Sequence, residues 1–169
     1  MKKNVVYFCV LGCLYILAEF FFRAFSFDIM NYSTKVYYES LIGISSVWMF
    51  FVGGLCGTLL GALNENAWIN KHLNIFVQSV IGMVIITVLE FTSGLILNVW
   101  LHLHIWSYAG LPGNVLGQIC PQFAVIWLLL SPFAFWADDV VRHYLWGKTA
   151  PYTLYEIYIN MINPFAKPF

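Results

Sequence analysis

Four long apolar stretches divide the chain, Val5 to Phe25, Leu41 to Leu63, Leu73 to Val99 and Val115 to Trp136, each long enough to cross a bilayer as a helix. Between them, Ser26 to Ser40, Asn64 to His72 and Trp100 to Asn114 carry the turn formers and polar residues of hydrated loops. Beyond the last stretch, Leu154, Ile157, Tyr158, Met161 and Ile162 recur at helical spacing, with Glu156, Asn160 and Asn163 elsewhere on the wheel. That pattern predicts an amphipathic helix lying on the membrane surface. The expected fold is therefore an all-α integral membrane protein: a four-helix transmembrane bundle over residues 1–146, then a cytoplasmic amphipathic tail, residues 147–169, holding a C-terminal interfacial helix. No repeat, low-complexity tract or linker marks a further domain.

Composition narrows the function classes. With 61% hydrophobic and only 9% charged residues the chain is not a soluble domain, and its partner of first resort is the lipid bilayer. Zero formal net charge and the lack of a basic run exclude a nucleic-acid binder. Lys2, Lys3 and the VLGC stretch from Val10 to Cys13 look like the start of a cleaved signal, but the apolar run continues past them without an A-x-A site, so the first segment reads as an uncleaved span. Lys2, Lys3, Lys71, Arg142 and Lys148 fall on one side and Lys35 with Arg23 on the other, which predicts both termini in the cytoplasm of a cell-membrane protein.

This topology sets the depth of each polar residue. At ~1.5 Å per residue, Glu19 lies roughly 21 Å outward from Val5, Glu90 roughly 26 Å from Leu73 and Gln118 about 6 Å inward from Asn114, in a core ~30 Å thick. Ser45 and Ser46 enter the same outer third from the second span. At helical spacing Tyr15, Glu19 and Arg23 share a face, as do Thr87, Glu90, Gly94 and Asn98, and Asn114, Gln118 and Gln122. Turning a carboxylate or guanidinium to lipid costs at least ~2.5 kcal/mol, so these faces point inward. Glu19, Arg23, Ser45, Ser46, Glu90, Asn98, Asn114, Gln118 and Gln122 thus form a candidate polar pocket for a small polar or ionic ligand. The alternative for the amides and serines is interhelical glue. Glu19 and Arg23 can pair at i, i+4, and Glu90 has either a protonated carboxyl or a contact with Arg23.

Other features read structurally. Gly53, Gly57 and Gly61 form a doubled G-x-x-x-G that lets a helix of the same chain, a second copy or a membrane partner protein approach closely. Pro121 and Pro132 are expected to kink the fourth helix. The GKT at Gly147 to Thr149 lacks the earlier glycine of a phosphate loop, since Arg142 stands there. Four cysteines in apolar spans read as free thiols, His102 and His104 lack further ligands, and neither metal nor cofactor is expected. Asp138, Asp139 and Arg142 read as an ordinary hydrated helix end.

The motifs LEFTSG (Leu89 to Gly94), IWSY (Ile105 to Tyr108) and P-x-N-x-x-G-x-I-C (Pro112 to Cys120), with Glu19, Arg23 and SSVWMF (Ser45 to Phe50), resemble those of the CmpB-like ABC-transporter type IV group of small multi-pass proteins and their eukaryotic relatives. Ser107 stands where that group often has an acid, and Gln118 where many members carry Arg. The resemblance covers most of the chain and implies a connection to transport. Three classes follow. The first is a transport-related or ligand-handling subunit with an outward-facing polar pocket. The second is a scaffold or regulatory subunit that binds a partner through the glycine row. A membrane enzyme using Glu90 as acid or base lacks a supporting constellation, so enzymatic activity is the least favoured.

Overall fold

The structure, a computed structural model, describes residues 2–25, 45–148 and 152–163. Its helices are α1 (Lys2–Phe25), α2 (Val47–Asn64), α3 (Ala67–His72), α4 (Ile75–Gly94), which continues as π-helical turns over Leu95–Trp100, α5 (Pro121–Trp146) and α6 (Leu154–Ile162). No strand occurs among the described residues. Segments Asn4–Ala24, Val47–Asn64, Ile75–Trp100 and Pro121–Trp146 are long and apolar enough to cross a membrane, and the protein is an all-helical, multi-pass membrane protein. The expected start of the second span, residues 41–44, lies outside the described residues, as does the first loop with Lys35.

The chain forms two compact units, Met1–Leu55 and Cys56–Phe169. In the first, small residues let α1 and the start of α2 meet backbone to side chain. A Cβ on Gly53 would lie 2.3 Å from Cβ and Cγ of Tyr15, one on Gly12 would lie 2.7 Å from the Phe50 carbonyl oxygen, and one on Gly54 would touch the Phe8 ring at 2.8 Å. Phe8 and Phe50 stack edge to face at 5.8 Å. The first glycine of the G-x-x-x-G row is therefore engaged by Tyr15 of the same chain.

In the second unit α4 and α5 pack closely. Gly82 admits Ser131, whose Oγ would be 2.7 Å from an added Cβ, and Ser131 hides its hydroxyl by donating to the Trp127 carbonyl oxygen at 2.8 Å. Ser79, Ser131 and Phe135 are fully buried there. Helix α6 packs on both α4 and α5, with Ile157 and Met161 buried.

Two expectations change on this frame. The fourth span begins at Pro121 rather than Val115 and runs to Trp146 rather than Trp136. Proline lacks the N–H that a first helical turn leaves unbonded anyway, and it holds Cys120 extended (φ −152°, ψ 157°), so Pro121 starts the helix instead of kinking it. Only Pro132 lies in the helix interior. Asn114, Gln118 and Gln122 consequently share no helical face. Gly113 and Gly117 adopt positive φ (75° and 69°), Val115 N–H donates to the Ile119 carbonyl, and the segment winds as turns.

The second change concerns Asp138, Asp139 and Arg142, which are not a hydrated helix end. Asp138 is only 2% exposed. Asn64 Nδ2 donates to Asp138 Oδ2 at 3.0 Å and Asp139 Oδ1 at 2.9 Å, Arg142 Nε donates to both Asp138 oxygens at 2.9 and 3.0 Å, and Glu65 pairs with Arg142 and Lys148. The expected C-terminal helix is α6, which turns Ile157 and Met161 to the bundle. Asn74 and Thr153 cap α4 and α6, the latter with a reciprocal Glu156 bond.

Candidate functional site

Around Glu90, the sequence builds a polar site from a helix, a folded loop and a second helix. Glu90 lies one turn before Gly94 on α4, and the two carboxylate oxygens are taken separately. Tyr108 Oη in the 101–120 loop donates to Oε1 at 2.6 Å, and Trp127 Nε1 on α5 donates to Oε2 at 2.8 Å. Phe123 stacks on Tyr108 with ring centroids 4.4 Å apart and touches Trp127 at 6.2 Å, so an aromatic row fixes both donors. One turn back on the same face, Thr87 Oγ1 is buried and has no partner among the described residues.

The loop that carries Tyr108 is held down by the amides. Gly94 gives it room: a Cβ there would lie 2.6 Å from Gln118 Oε1, 3.0 Å from Gln118 Cβ and 3.1 Å from the Trp106 ring. Asn98, in the π-helical turns, donates from Nδ2 to Gln118 Oε1 at 2.8 Å and accepts from Ile105 N–H at 2.7 Å. Gln118 donates to the Leu116 carbonyl at 3.0 Å, and Trp106 Nε1 donates to the Gln118 carbonyl at 3.1 Å. Asn98, Gln118, Trp106 and Tyr108 are all buried. Buried irregular backbone must find its hydrogen-bond partners within the protein, and these amides supply them.

The other expected site residues have hydrogen bonds within their own units. Asn114 organises the turn, donating to the Leu111 carbonyl at 2.7 Å and accepting from Gly117 N–H at 3.0 Å. Gln122 is exposed and donates to the Pro112 carbonyl at 3.0 Å. In the first unit, Glu19 accepts from Arg23 Nε and Nη2 at 2.9 and 2.6 Å through one oxygen, and from the Ser45 hydroxyl through the other. Ser46 accepts from Trp48 N–H at 3.3 Å at the start of α2. In the second unit Glu90, Asn98 and Gln118 thus gather with the loop, and in the first unit Glu19 is hydrogen-bonded by Arg23 and Ser45.

Sequence reasoning missed Tyr108 and Trp127. Glu90 was offered only its own protonation or a cation, whereas neutral O–H and N–H donors from distant segments serve a carboxylate equally well. Placing IWSY beside LEFTSG as motifs was the available signal, since one supplies Tyr108 and the other Glu90.

It also missed the polar network at the far end of the second unit. There Glu65, Asp138 and Asp139 place carboxylate oxygens within 4.8 Å of one another, and Arg142 and Lys148 supply the opposing charge. Tyr152 hydrogen-bonds Asp139; burial first, and then the Asp139 charge, push its phenol above the ordinary range. Thr153 holds the exposed Glu156 carboxyl below its ordinary value through backbone and hydroxyl donors.

A family profile described as "Putative ABC-transporter type IV" matches residues 49–163, a stretch that includes Glu90, Tyr108, Trp127 and α6. No curated protein and no solved structure matches the chain.

Proposed function

This chain belongs to the ABC-transporter type IV, CmpB-like family, and on that premise we propose that it is a transport-related membrane subunit whose ligand-handling group is Glu90. The clasp of Tyr108 and Trp127 on that carboxyl carries the reading. An indole N–H can only donate, so Trp127 always requires Oε2 as an acceptor. A phenol can donate or accept. Tyr108 therefore serves the carboxylate by donating to Oε1 and serves the neutral acid by accepting from it, without moving a heavy atom.

The site thus accommodates both protonation states of Glu90 in one geometry, as a proton-accepting or cation-accepting position within a membrane protein requires. A small ligand with a positive charge or N–H and O–H donors replaces Tyr108 at Oε1, and the unpartnered Thr87 hydroxyl provides a further polar contact. The outward orientation of the site, with both termini cytoplasmic, is part of this proposal and rests on the Lys and Arg distribution.

Infrared difference spectra of the protein in lipid, recorded across a pH step, test it. The parent should show a carboxyl band that Glu90→Gln abolishes and Tyr108→Phe shifts, because the phenol is its hydrogen-bond partner. A parent spectrum unchanged by Glu90→Gln would remove the reading.

A further inference from the structure

Helix α6 packs on α4 and α5. Its position follows from two side chains that meet α5. Tyr152 hydrogen-bonds Asp139, and Tyr158 Oη donates to the Leu129 carbonyl at 2.7 Å. The later residue meets the earlier one, so after Gly147 ends α5 in a left-handed conformation (φ 67°, ψ 28°) the chain turns and runs back along α5.

The depth of that return can be read along α5. Asn64 ends α2 and bonds Asp138 and Asp139, in a network that also holds Glu65, Arg142 and Lys148. Groups so charged belong at the headgroup level. Leu129 is nine residues from Asp138, roughly 14 Å along a helix and close to the middle of a core ~30 Å thick. A hydroxyl bonded to the Leu129 carbonyl reaches that depth.

The contact also has a chemical reason to exist in hydrocarbon. Pro132 lies inside α5 and lacks an N–H, and three residues before it the Leu129 carbonyl accepts from the Tyr158 hydroxyl. A phenol carried into hydrocarbon needs a hydrogen-bond partner, and a helix carbonyl supplies one where water is absent.

We propose that residues 154–162 form a half-membrane helix that enters the bilayer from the Asn64 and Asp138 end and presents its outer face to lipid acyl chains. Ile157 (0% exposed) and Met161 hold it to the bundle, while Tyr155 (74% exposed), Ile159 (44%) and Ile162 (78%) follow one another at i, i+4 and i+7 on the side left open. At the level Tyr158 reaches, α5 itself exposes Leu129, Leu130 and Phe133, so the apolar surface continues from one helix to the other. Nine residues span roughly 14 Å, half of the hydrocarbon thickness. Glu156 sits in the first turn, and its carboxylate folds back onto Thr153 N–H and Oγ, toward the headgroups.

Depth measurements on the full chain in phosphatidylcholine and phosphatidylglycerol vesicles distinguish this arrangement from a surface helix. In a background with Cys9, Cys13, Cys56 and Cys120 changed to Ala, spin labels are attached singly at Tyr155→Cys, Ile159→Cys and Ile162→Cys, all exposed positions. Relaxation by oxygen relative to a water-soluble nickel chelate should rise along the three, placing Ile162 roughly 10 Å deeper than Tyr155. Equal depths at all three would mean a helix lying on the interface, and chelate access at all three would mean one outside the bilayer; either overturns the proposal. The unmodified chain supplies a second reading: phosphatidylcholine with a photoreactive group at its acyl-chain terminus should form adducts within residues 155–162, and adducts confined to other segments would count against it.

Discussion

Replacing Gly53 with Ala adds one methyl group at the closest approach of α1 and α2, and the sign of the result depends on two opposing terms. In a helix interior Ala is favoured over Gly by about 1 kcal/mol. Against that stands the packing, because the new Cβ would lie 2.3 Å from both Cβ and Cγ of Tyr15. No rotation of the tyrosine moves its Cβ, so the helices themselves must part. Forcing an extra methyl into a packed site costs typically 1–3 kcal/mol, and a clash with the root of a side chain belongs at the upper end, about 3 kcal/mol. The net loss is about 2 kcal/mol, on the order of a thirtyfold shift in the folding equilibrium. Reversible unfolding in mixed micelles, read by circular dichroism, measures it. Gly110→Ala is the control, since nothing lies within 4 Å of a Cβ there and its φ is not positive; it should be neutral. A Gly53→Ala variant as stable as the parent would refute the close approach of Tyr15 and the reasoning built on it.

Two further outcomes follow from the polar network. Arg142→Ala leaves the buried Asp138 without its guanidinium and should cost 3–5 kcal/mol by the usual magnitude for stranding a buried charge, whereas Asp138→Asn with Arg142→Gln should cost less; the same unfolding assay would contradict this if the single change were the milder. Burial and Asp139 raise the Tyr152 phenol, so the folded state holds that proton more tightly than the unfolded chain does. The associated stability is fully present below the unfolded value near pH 10 and is lost as pH rises above it. Tyr152→Phe should therefore flatten the alkaline fall in stability, and an unchanged slope would show that another group is responsible.

Much of this architecture follows from local patterning. Twenty-odd apolar residues in succession have no stable alternative to a membrane helix, so α1, α2 and α4 are recognisable before any contact is known. The spacing of Glu90, Gly94 and Asn98 likewise marks one face, and that face is the one the 101–120 loop covers. Hydropathy alone misleads at Val115, where an apolar run continues through Gly117 to Pro121; backbone dihedrals, which hydropathy does not weigh, delay the start of the helix to Pro121.

Partner choice is what the chain order could not convey. Trp127 is 37 residues from Glu90 and Tyr108 is 18, and nothing in their local sequence distinguishes a donor to a carboxylate from a ring at a membrane interface. Asp138 next to Asp139 reads as a solvated helix end until Asn64, 74 residues earlier, is brought against it. The periodicity of Leu154 to Ile162 determined a two-sided helix and left its depth open, because an apolar stripe is buried equally well by lipid or by protein. Packing decided which side meets protein: Ile157 and Met161 are buried against the bundle, and the Tyr158 hydroxyl donates to the Leu129 carbonyl, which only the folded chain places within its reach.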